Sequence, residues 1–359
     1  MPDGFTLRHA IRKSSAPELS GLVERYRPDQ RINPRENRIE LVEDLARRIP
    51  EEDIEEIVFN KFGVPKRRYI AHIGIINFNL IDEDELRTNI NDFNISKDFN
   101  RELPEYEPQI KQQLELVRYN DQEIVVYFRR IVKKPEYDFE EMNSKVIRYP
   151  KSVRILIKRE LGIVTIFTGD RDLFNEALTA LTLVFDHAVR PLDSNQTGIT
   201  DALRGSFSAR TVKFLDYIYH GLSQVGTVGT IYQIELETIQ GSREPQQVTV
   251  KGGSDLIDDR SICEYLFWHG RDLVGIKMNL LMTYGENEHR VSVQIGIRNG
   301  KTKVGIKKEN YSMEKVRHFY ERIERNIVDN ITQYGLINEE LTHNLLETIR
   351  ARAPREALE

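Results

Sequence analysis

The stretch EIVVYFRRIV, residues 123–132, decides the fold class because most of its side chains are β-branched or aromatic. Such side chains favour extended backbone, since branching at Cβ is accommodated better on a pleated strand than in a helix. Two similar stretches follow, SVRILIK at 152–158 and GIVTIFT at 162–168, and Leu161–Gly162 between them favours a tight hairpin turn. An amphipathic helix is predicted from Asp170 to about His187. Strands followed by one covering helix predict an α+β layer.

A second group of strands and helices is predicted in the C-terminal half of the chain. The strands are expected at 227–239, 245–252, 272–285, 289–297 and 301–308. The helices are expected at 208–222, 259–270, 312–334 and 338–352. Asn299–Gly300 is the strongest hairpin signal, because both residues tolerate the positive φ of a type I′ turn. The fold class is therefore α+β, with mainly antiparallel sheet modules covered by helices.

The first 90 residues predict a small bundle of four or five short helices. In Arg35–Ile49 the apolar residues recur at helical spacing, and Pro50 ends that helix. The apolar stretch Tyr69–Leu80 is assigned to the same bundle. The polar residues that follow predict a connector, with one helix from about Pro108 to Arg118. The predicted domains are the helical bundle (1–90), the connector (91–121), a sheet-plus-helix module (122–187), a linker or long loop (188–206), and a second α+β module with C-terminal helices (207–359).

Length and composition predict a multidomain protein inside a cell. A chain of 359 residues with 39% hydrophobic residues can form two or three cores. The single cysteine, Cys263, cannot form an internal disulfide, which fits a reducing compartment. No apolar run approaches the roughly 18–20 residues that span a bilayer, and the N-terminus lacks the apolar core of a signal peptide. A cytoplasmic or nucleoid/nuclear location, with no membrane partner, is expected.

Most enzyme chemistries lack a motif in this sequence. Phosphate-binding loops are absent, and the glycine-rich GTVGT at 226–230 leads into a strand rather than a helix. The eight histidines are scattered without metal-ligand spacing, so no metal or other cofactor is predicted. Cys263 and His269 lie six residues apart, but a small buried thiol is the commoner role for such a cysteine. The sequence favours a binding protein over an enzyme.

Asp170 and Asp172 are the carboxylates most typical of an enzyme, because they follow a strand end where divalent metals often bind. A metal-dependent phosphodiesterase would also need Glu160 and Lys158 nearby. Helix capping accounts fully for both aspartates, since Asp stabilises a helix at its N-cap and in its first turn. Capping is the preferred interpretation.

Basic clusters are the best candidates for a functional surface. Lys and Arg (52) nearly balance Asp and Glu (57), and a net charge of -5 means that any nucleic-acid site must be a local patch. In the strand at 152–158, Arg154 and Lys158 share one face, while the other face is apolar. The alternative is an ordinary solvated face with nearby acidic counter-charges. The candidate nucleic-acid contacts are Arg8, Arg12, Lys13, Lys66, Arg67, Arg68, Arg129, Arg130, Lys145, Arg148, Lys151, Arg154 and Lys158.

The order of modules resembles the inner-kinetochore centromere protein N (CENP-N) family over about residues 1–187. The resemblance rests on RENRIELVEDLARRI, EEDIEEIVFNKF, the strands EIVVYFRRIV and SVRILIKRE, and the helix DLFNEALTALTLVF. It implies a non-enzymatic chromatin binder whose N-terminal helical domain contacts nucleoprotein. By position, Arg8, Arg12, Lys13, Lys66, Arg67 and Arg68 are implied as those contacts. It also implies a C-terminal part that pairs with a related subunit.

Two functional hypotheses follow. The first is a DNA- or nucleoprotein-binding adaptor that uses the basic patches, with double-stranded DNA as the expected ligand and a C-terminal module for a protein partner or self-association. The second is a protein-assembly subunit without nucleic-acid binding, for example in a host-defence complex. In the second, the apolar stripe Val316, Tyr320, Ile323 and Ile327 would pack on another chain, although it could equally cover its own sheet.

Overall fold

The computed structural model of the chain describes residues 5–12, 14–28, 38–50, 53–54, 57, 68–76, 82–96, 112–138, 143–237, 247–252, 258–269, 271–298, 300–307 and 311–353. In these residues the helices are α1 (Phe5–Arg12), α2 (Ala16–Tyr26), α3 (Arg38–Arg48), α4 (Glu83–Ser96), α5 (Arg171–Phe185), α6 (Asp201–Arg204), α7 (Ala209–Asp216), α8 (Arg260–Phe267), α9 (Met313–Ile331) and α10 (Glu339–Arg352). A π-helical turn, Tyr217–Gly221, and a 3-10 turn, Leu222–Gln224, follow α7. None of the helices in these ranges has the length and apolar character needed to cross a bilayer.

Eleven strands are present in the same residues, and the described strand ladders are antiparallel. They are β1 (Arg68–Ile76), β2 (Gln112–Tyr119), β3 (Glu123–Asp138), β4 (Asn143–Lys158), β5 (Ile163–Ile166), β6 (Val189–Pro191), β7 (Thr227–Glu237), β8 (Gln247–Lys251), β9 (Asp272–Tyr284), β10 (Asn287–Arg298) and β11 (Lys301–Lys307). The α+β class is confirmed. The chain forms two compact units, unit 1 with Met1–Lys66 and Ile75–Arg190, and unit 2 with Arg67–Gly74 and Pro191–Glu359.

Unit 1 contains the N-terminal helices and a four-stranded array in the order β2-β3-β4-β5. Helices α1 and α2 contact α3, as expected for a helical bundle. One face of the strands forms a core with α4 and α5, to which Phe128, Ile155, Phe174 and Leu181 contribute. Asp170 caps α5 by accepting hydrogen bonds from the backbone of the first helical turn, which confirms the capping interpretation.

Unit 2 contains strands in the order β1-β11-β10-β9-β7-β8. Alternate residues of these strands, such as Met278, Val293 and Ile306, are fully or almost fully buried. Helix α7 contacts β9 and helix α9 contacts β11, and the rings of Tyr69 and Tyr320 lie 4.9 Å apart. The apolar stripe of α9 is therefore buried within unit 2, and it covers its own sheet.

The predicted hairpin between β10 and β11 is confirmed. Arg298 pairs with Lys301, so two residues form the connection, and Gly300 has φ +69°. A positive φ is nearly free for glycine and costly for residues with a Cβ. Asn299 lies outside the described residues.

Two helical predictions were wrong. Residues 69–76, assigned to the helical bundle, belong to β1, which pairs with β11 as far as Ile73, while 77–80 lie outside the described residues. The predicted helix at 108–118 is replaced by β2 over its described part, where the ladder with β3 outweighs the helical propensity of Gln, Leu and Glu. The apolar run in β1 has little alternation because it is buried along most of its length, and such a run does not distinguish strand from helix.

Candidate nucleic-acid interface

The N-terminal basic cluster is only partly described. Arg8 Nε lies 2.8 Å from a Glu43 carboxylate oxygen, and Arg12 lies 3.9 Å from the other oxygen of the same carboxylate. Both arginines therefore lie on one side of α1, and their charge is partly neutralised by α3. Lys13, Lys66 and Arg67 lie outside the described residues. Arg68 is the first residue of β1, and in the strand register its backbone lies opposite Lys307 of β11.

Two arginines of the predicted cationic face of β3 and β4 are buried rather than exposed to solvent. The predicted alternation is present, because Val153, Ile155 and Ile157 are in the core of unit 1. However, Arg129 is fully buried and Arg154 is 4% exposed. The expectation that these two guanidinium groups lie on an open surface is corrected, because both faces of the strands are covered here.

The buried arginines have partners within unit 1. Arg129 Nη2 lies 3.3 Å from a carboxylate oxygen of Glu115 on the neighbouring strand. The Arg154 guanidinium lies 5.1 Å from the centroid of the Phe167 ring, within the range of a cation–π contact. A buried cation needs such compensation, so both arginines have a structural role here.

Arg130 and Lys151 pair with residues of α5 and its cap. Arg130 donates to Glu176, and Lys151 Nζ lies 2.9 Å from Asp170 Oδ2. Partial burial pushes the pKa of Asp170 upward, but the hydrogen bonds from Lys151 and the backbone outweigh it, so the pKa is lowered. These ion pairs tie the strands to α5.

Lys145 and Arg148 lie in a two-stranded ribbon. Strands β3 and β4 stay paired as far as Asp138 and Asn143, whereas the described ladders with β2 and β5 end at Arg130 and Ile155. In the ribbon Lys145 is opposite Glu136 and Arg148 is opposite Lys133. Lys158, at the other end of β4, is opposite Glu123.

A second basic surface was not predicted and lies on the strands of unit 2. Five lysines from three strands, β8, β9 and β11, belong to the face opposite the apolar core. We call this surface the lysine face; its members are Lys251, Lys277, Lys301, Lys303 and Lys307. Lys251 and Lys307 are exposed, and the other three are half-buried.

The strand register arranges this face in rows. One row runs from Ile70 through Gly305, Gln294 and Lys277 to Gln233, and Gln233 is paired with Lys251. The neighbouring row along β11 places Lys303 opposite both His72 and Gly296. Lys277 is one strand away from Lys251 and one strand away from β11, with Gln233 and Gln294 respectively between them, so the lysines share one face without being direct cross-strand partners.

His72 is buried beside two lysines of this face. Its imidazole is 7% exposed, and its pKa is lowered from 6.5 to about 3. Burial is the largest cause, followed by the positive charges of Lys303 and Lys301. A charged histidine is therefore disfavoured at this position.

Acidic residues limit the lysine face on one side. Arg298 donates to Glu237 at 3.0 Å and to Gln247 at 2.8 Å, so its charge is compensated. Gln233 donates to Glu235 at 3.0 Å. Three of the five lysines of this face, Lys301, Lys303 and Lys307, are on β11, at the other end of the described face from Glu235 and Glu237.

One signal in the sequence could have identified part of this surface. In KTKVGIK at 301–307, Lys301, Lys303 and Lys307 occur at even spacing, which places them on one face of a strand. Lys277 and Lys251 gave no such signal, because only strand pairing brings them beside β11.

The metal-dependent alternative gains no support from the described residues. Asp170 Oδ1 accepts from the backbone of Asp172 and Leu173, and Oδ2 accepts from Lys151. Both carboxylate oxygens are therefore engaged. Within the part of the chain that the structure describes, no group of three or more His, Cys, Asp or Glu side chains could hold a metal ion.

Known proteins provide no further evidence on this surface. The chain matches no protein-family model and no curated protein. The lysine face is therefore defined by its own geometry and charge, and the resemblance to the CENP-N family stays a prediction.

Proposed function

We propose that this protein is a non-enzymatic DNA- or nucleoprotein-binding adaptor, and that the lysine face of unit 2 contacts the phosphate backbone. The observation that carries the proposal is the strand register, which gathers five lysines on one sheet face of a chain whose net charge is -5. Such a local patch attracts a polyanion that the whole molecule would not. This role would place the protein in the cytoplasm, nucleoid or nucleus.

Double-stranded DNA is the proposed ligand class, with nucleoprotein as its context by resemblance to the CENP-N family. Backbone contacts by lysine carry no base specificity, so binding should be insensitive to sequence. It should weaken steeply with salt, because each neutralised phosphate releases counterions. Arg8 and Arg12 on α1 and Lys145 and Arg148 on the ribbon remain proposed secondary contacts.

Charge reversal on the lysine face tests the proposal. We expect Lys301→Glu with Lys303→Glu to weaken binding of a labelled duplex by roughly tenfold or more, because two phosphate contacts are replaced by repulsion. Fluorescence anisotropy at about 50 mM and 200 mM salt measures the affinity and its salt dependence. Circular dichroism and the melting temperature verify that the variant is folded.

Arg317→Glu with Arg325→Glu is the matched control. Both arginines are exposed on α9, whose opposite side covers the apolar sheet face, and the change in net charge is the same. We expect the control to bind within about twofold of the wild type at 200 mM salt, since exposed charges beyond a Debye length of roughly 8–10 Å are screened. Equal losses in both variants would show a net-charge effect and refute the assigned surface.

A protein-assembly role is the second candidate, and exposed apolar side chains in unit 2 favour it. Trp268 is 48% exposed, Leu341 50% and Tyr334 74%. Exposed large apolar residues are typical of interaction sites when they form one patch. Light scattering coupled to size-exclusion chromatography tests self-association. A monomer at high concentration, together with DNA binding, would favour the adaptor proposal.

A further inference from the structure

We infer that the lysine face contains a preorganised phosphate pocket, formed by Tyr232, Lys277, Ser292, Gln294, Gly305 and Lys307, which holds one phosphate group of the bound nucleic acid. The inference rests on the proposed function and deepens it, because it identifies where on the lysine face a phosphate is held by fixed hydrogen bonds. The pocket has a volume of about 160 Å³ and lies entirely in unit 2.

Two lysines on different strands form the cationic walls. Lys277 is on β9 and Lys307 is on β11, and β10 passes between them. Ser292 and Gln294 of β10 provide a hydroxyl and an amide on the same face. A tetrahedral oxyanion with several acceptor oxygens matches ammonium, hydroxyl and amide donors that converge from three strands.

Two hydroxyl groups that line the pocket, those of Tyr232 and Ser292, are hydrogen-bonded to each other. Tyr232 Oη and Ser292 Oγ lie 2.6 Å apart, and either hydroxyl can be the donor. One hydroxyl hydrogen occupies this bond, and the other is directed away from the pair. A phosphate oxygen can accept that second hydrogen without breaking the pair.

Lys277 is held in position before any ligand binds. Its Nζ donates to Gln233 Oε1 at 2.8 Å, and Gln233 Nε2 donates to Glu235 Oε1 at 3.0 Å. This chain of hydrogen bonds orders the ammonium group, which carries three N–H donors. Ordering a side chain in the free protein lowers the entropy lost on binding.

Gly305 forms the floor of the pocket. A Cβ at this position would meet Ile70 Cγ1 at 3.1 Å and Gln294 Cβ at 3.7 Å. The absence of a side chain therefore keeps the space between the two lysines open. A methyl group here would reduce that space without changing any charge.

Neutral substitutions distinguish this pocket from the general attraction of the lysine face. We expect Gly305→Ala and Ser292→Ala each to weaken binding of inorganic phosphate roughly tenfold, since each removes space or a hydrogen bond to a charged group. The probe is inorganic phosphate titrated at constant ionic strength and followed by isothermal titration calorimetry. Thr283→Ala is the control, because Thr283 lies on β9 outside the pocket and its side chain is exposed.

The source of the phosphate is resolved by two oligonucleotides of the same sequence, one with a 5′-phosphate and one with a 5′-hydroxyl. Tighter binding of the 5′-phosphorylated strand, lost in Gly305→Ala, would assign the pocket to a terminal phosphate. Equal binding of the two strands, with both weakened in Gly305→Ala, would assign it to an internal phosphodiester. Either result supports a phosphate pocket.

The pocket and the proposed function fail in different ways. If neither Gly305→Ala nor Ser292→Ala, both with unchanged melting temperatures, weakens phosphate or DNA binding, the pocket is refuted. The adaptor proposal would survive that result as long as Lys301→Glu with Lys303→Glu weakened DNA binding. If that charge reversal has no effect, the proposed function is refuted whatever the pocket binds.

Discussion

At the scale of single residues, burial and neighbouring side chains decide whether a cation has a structural role. Arg129 and Lys303 are both basic residues on central strands. The sequence alone does not show which of them is buried. Arg129 is fully buried beside Glu115, whereas Lys303 is half-buried beside Gly296. A neighbouring glycine leaves room around the lysine, while a neighbouring carboxylate neutralises the arginine. Burial and partners of this kind are tertiary properties that a strand pattern does not contain.

His72 provides a test of a buried titratable group at the same scale, because burial and, after it, two neighbouring lysines lower its pKa. Its pKa is lowered to about 3 in the folded protein, so it stays neutral while an unfolded histidine gains a proton below pH 6.5. Stability from this group is therefore present above pH 6.5 and is lost as the pH falls toward 3. Between pH 6.5 and 5 the expected loss is about 2 kcal/mol, at about 1.4 kcal/mol per pH unit.

Urea unfolding of the wild type and His72→Gln at pH 7, 6 and 5 measures this component. We expect the free energy of unfolding of the wild type to fall more steeply with decreasing pH than that of the variant. The absolute stabilities will differ for other reasons, so the readout is the difference in slope. Parallel pH profiles would show that His72 is protonated in the folded protein.

At the scale of elements, the sequence predicted most of the structure where the signal was local. The strands at 123–132 and 152–158, the hairpin at 299–300 and the two C-terminal helices were all indicated by periodicity, turn residues or caps. Strand β1 was missed because its apolar run lacks alternation, and its partner β11 is more than 200 residues away in sequence. The lysine face was missed in part for the same reason, because Lys277 and Lys251 join the three lysines of β11 only through pairing of strands that are distant in sequence.

The two-stranded ribbon of β3 and β4 allows a test of whether this part of the hairpin contributes to the stability of unit 1. Residues 131–138 and 143–150 pair only with each other in the described ladders. We therefore expect replacement of residues 132–149 by Asn-Gly to leave the melting temperature within a few degrees of the wild type, since the core of unit 1 lies on the other half of the hairpin. Scanning calorimetry measures this. A loss of cooperative unfolding would show that the ribbon is part of the core.

At the scale of the whole molecule, the charge distribution matters more than the net charge. With a net charge of -5, the chain as a whole repels a polyanion weakly, and screening at physiological salt confines each charge to about 8 Å. Under the proposed function, the lysine face attracts DNA locally although the net charge of the chain is negative. Binding is expected to involve one side of unit 2 rather than the entire surface.

Lysine acetylation footprinting, read by mass spectrometry with and without duplex DNA, tests the central claim most directly. We predict that DNA protects Lys301, Lys303 and Lys307 from acetylation, because their ammonium groups would be covered by phosphates. Lys315, on α9 and 5.3 Å from the Tyr284 ring centroid, should react equally in both samples. Protection of lysines elsewhere, with Lys301, Lys303 and Lys307 unchanged, would contradict the assignment of the lysine face as the DNA-binding surface.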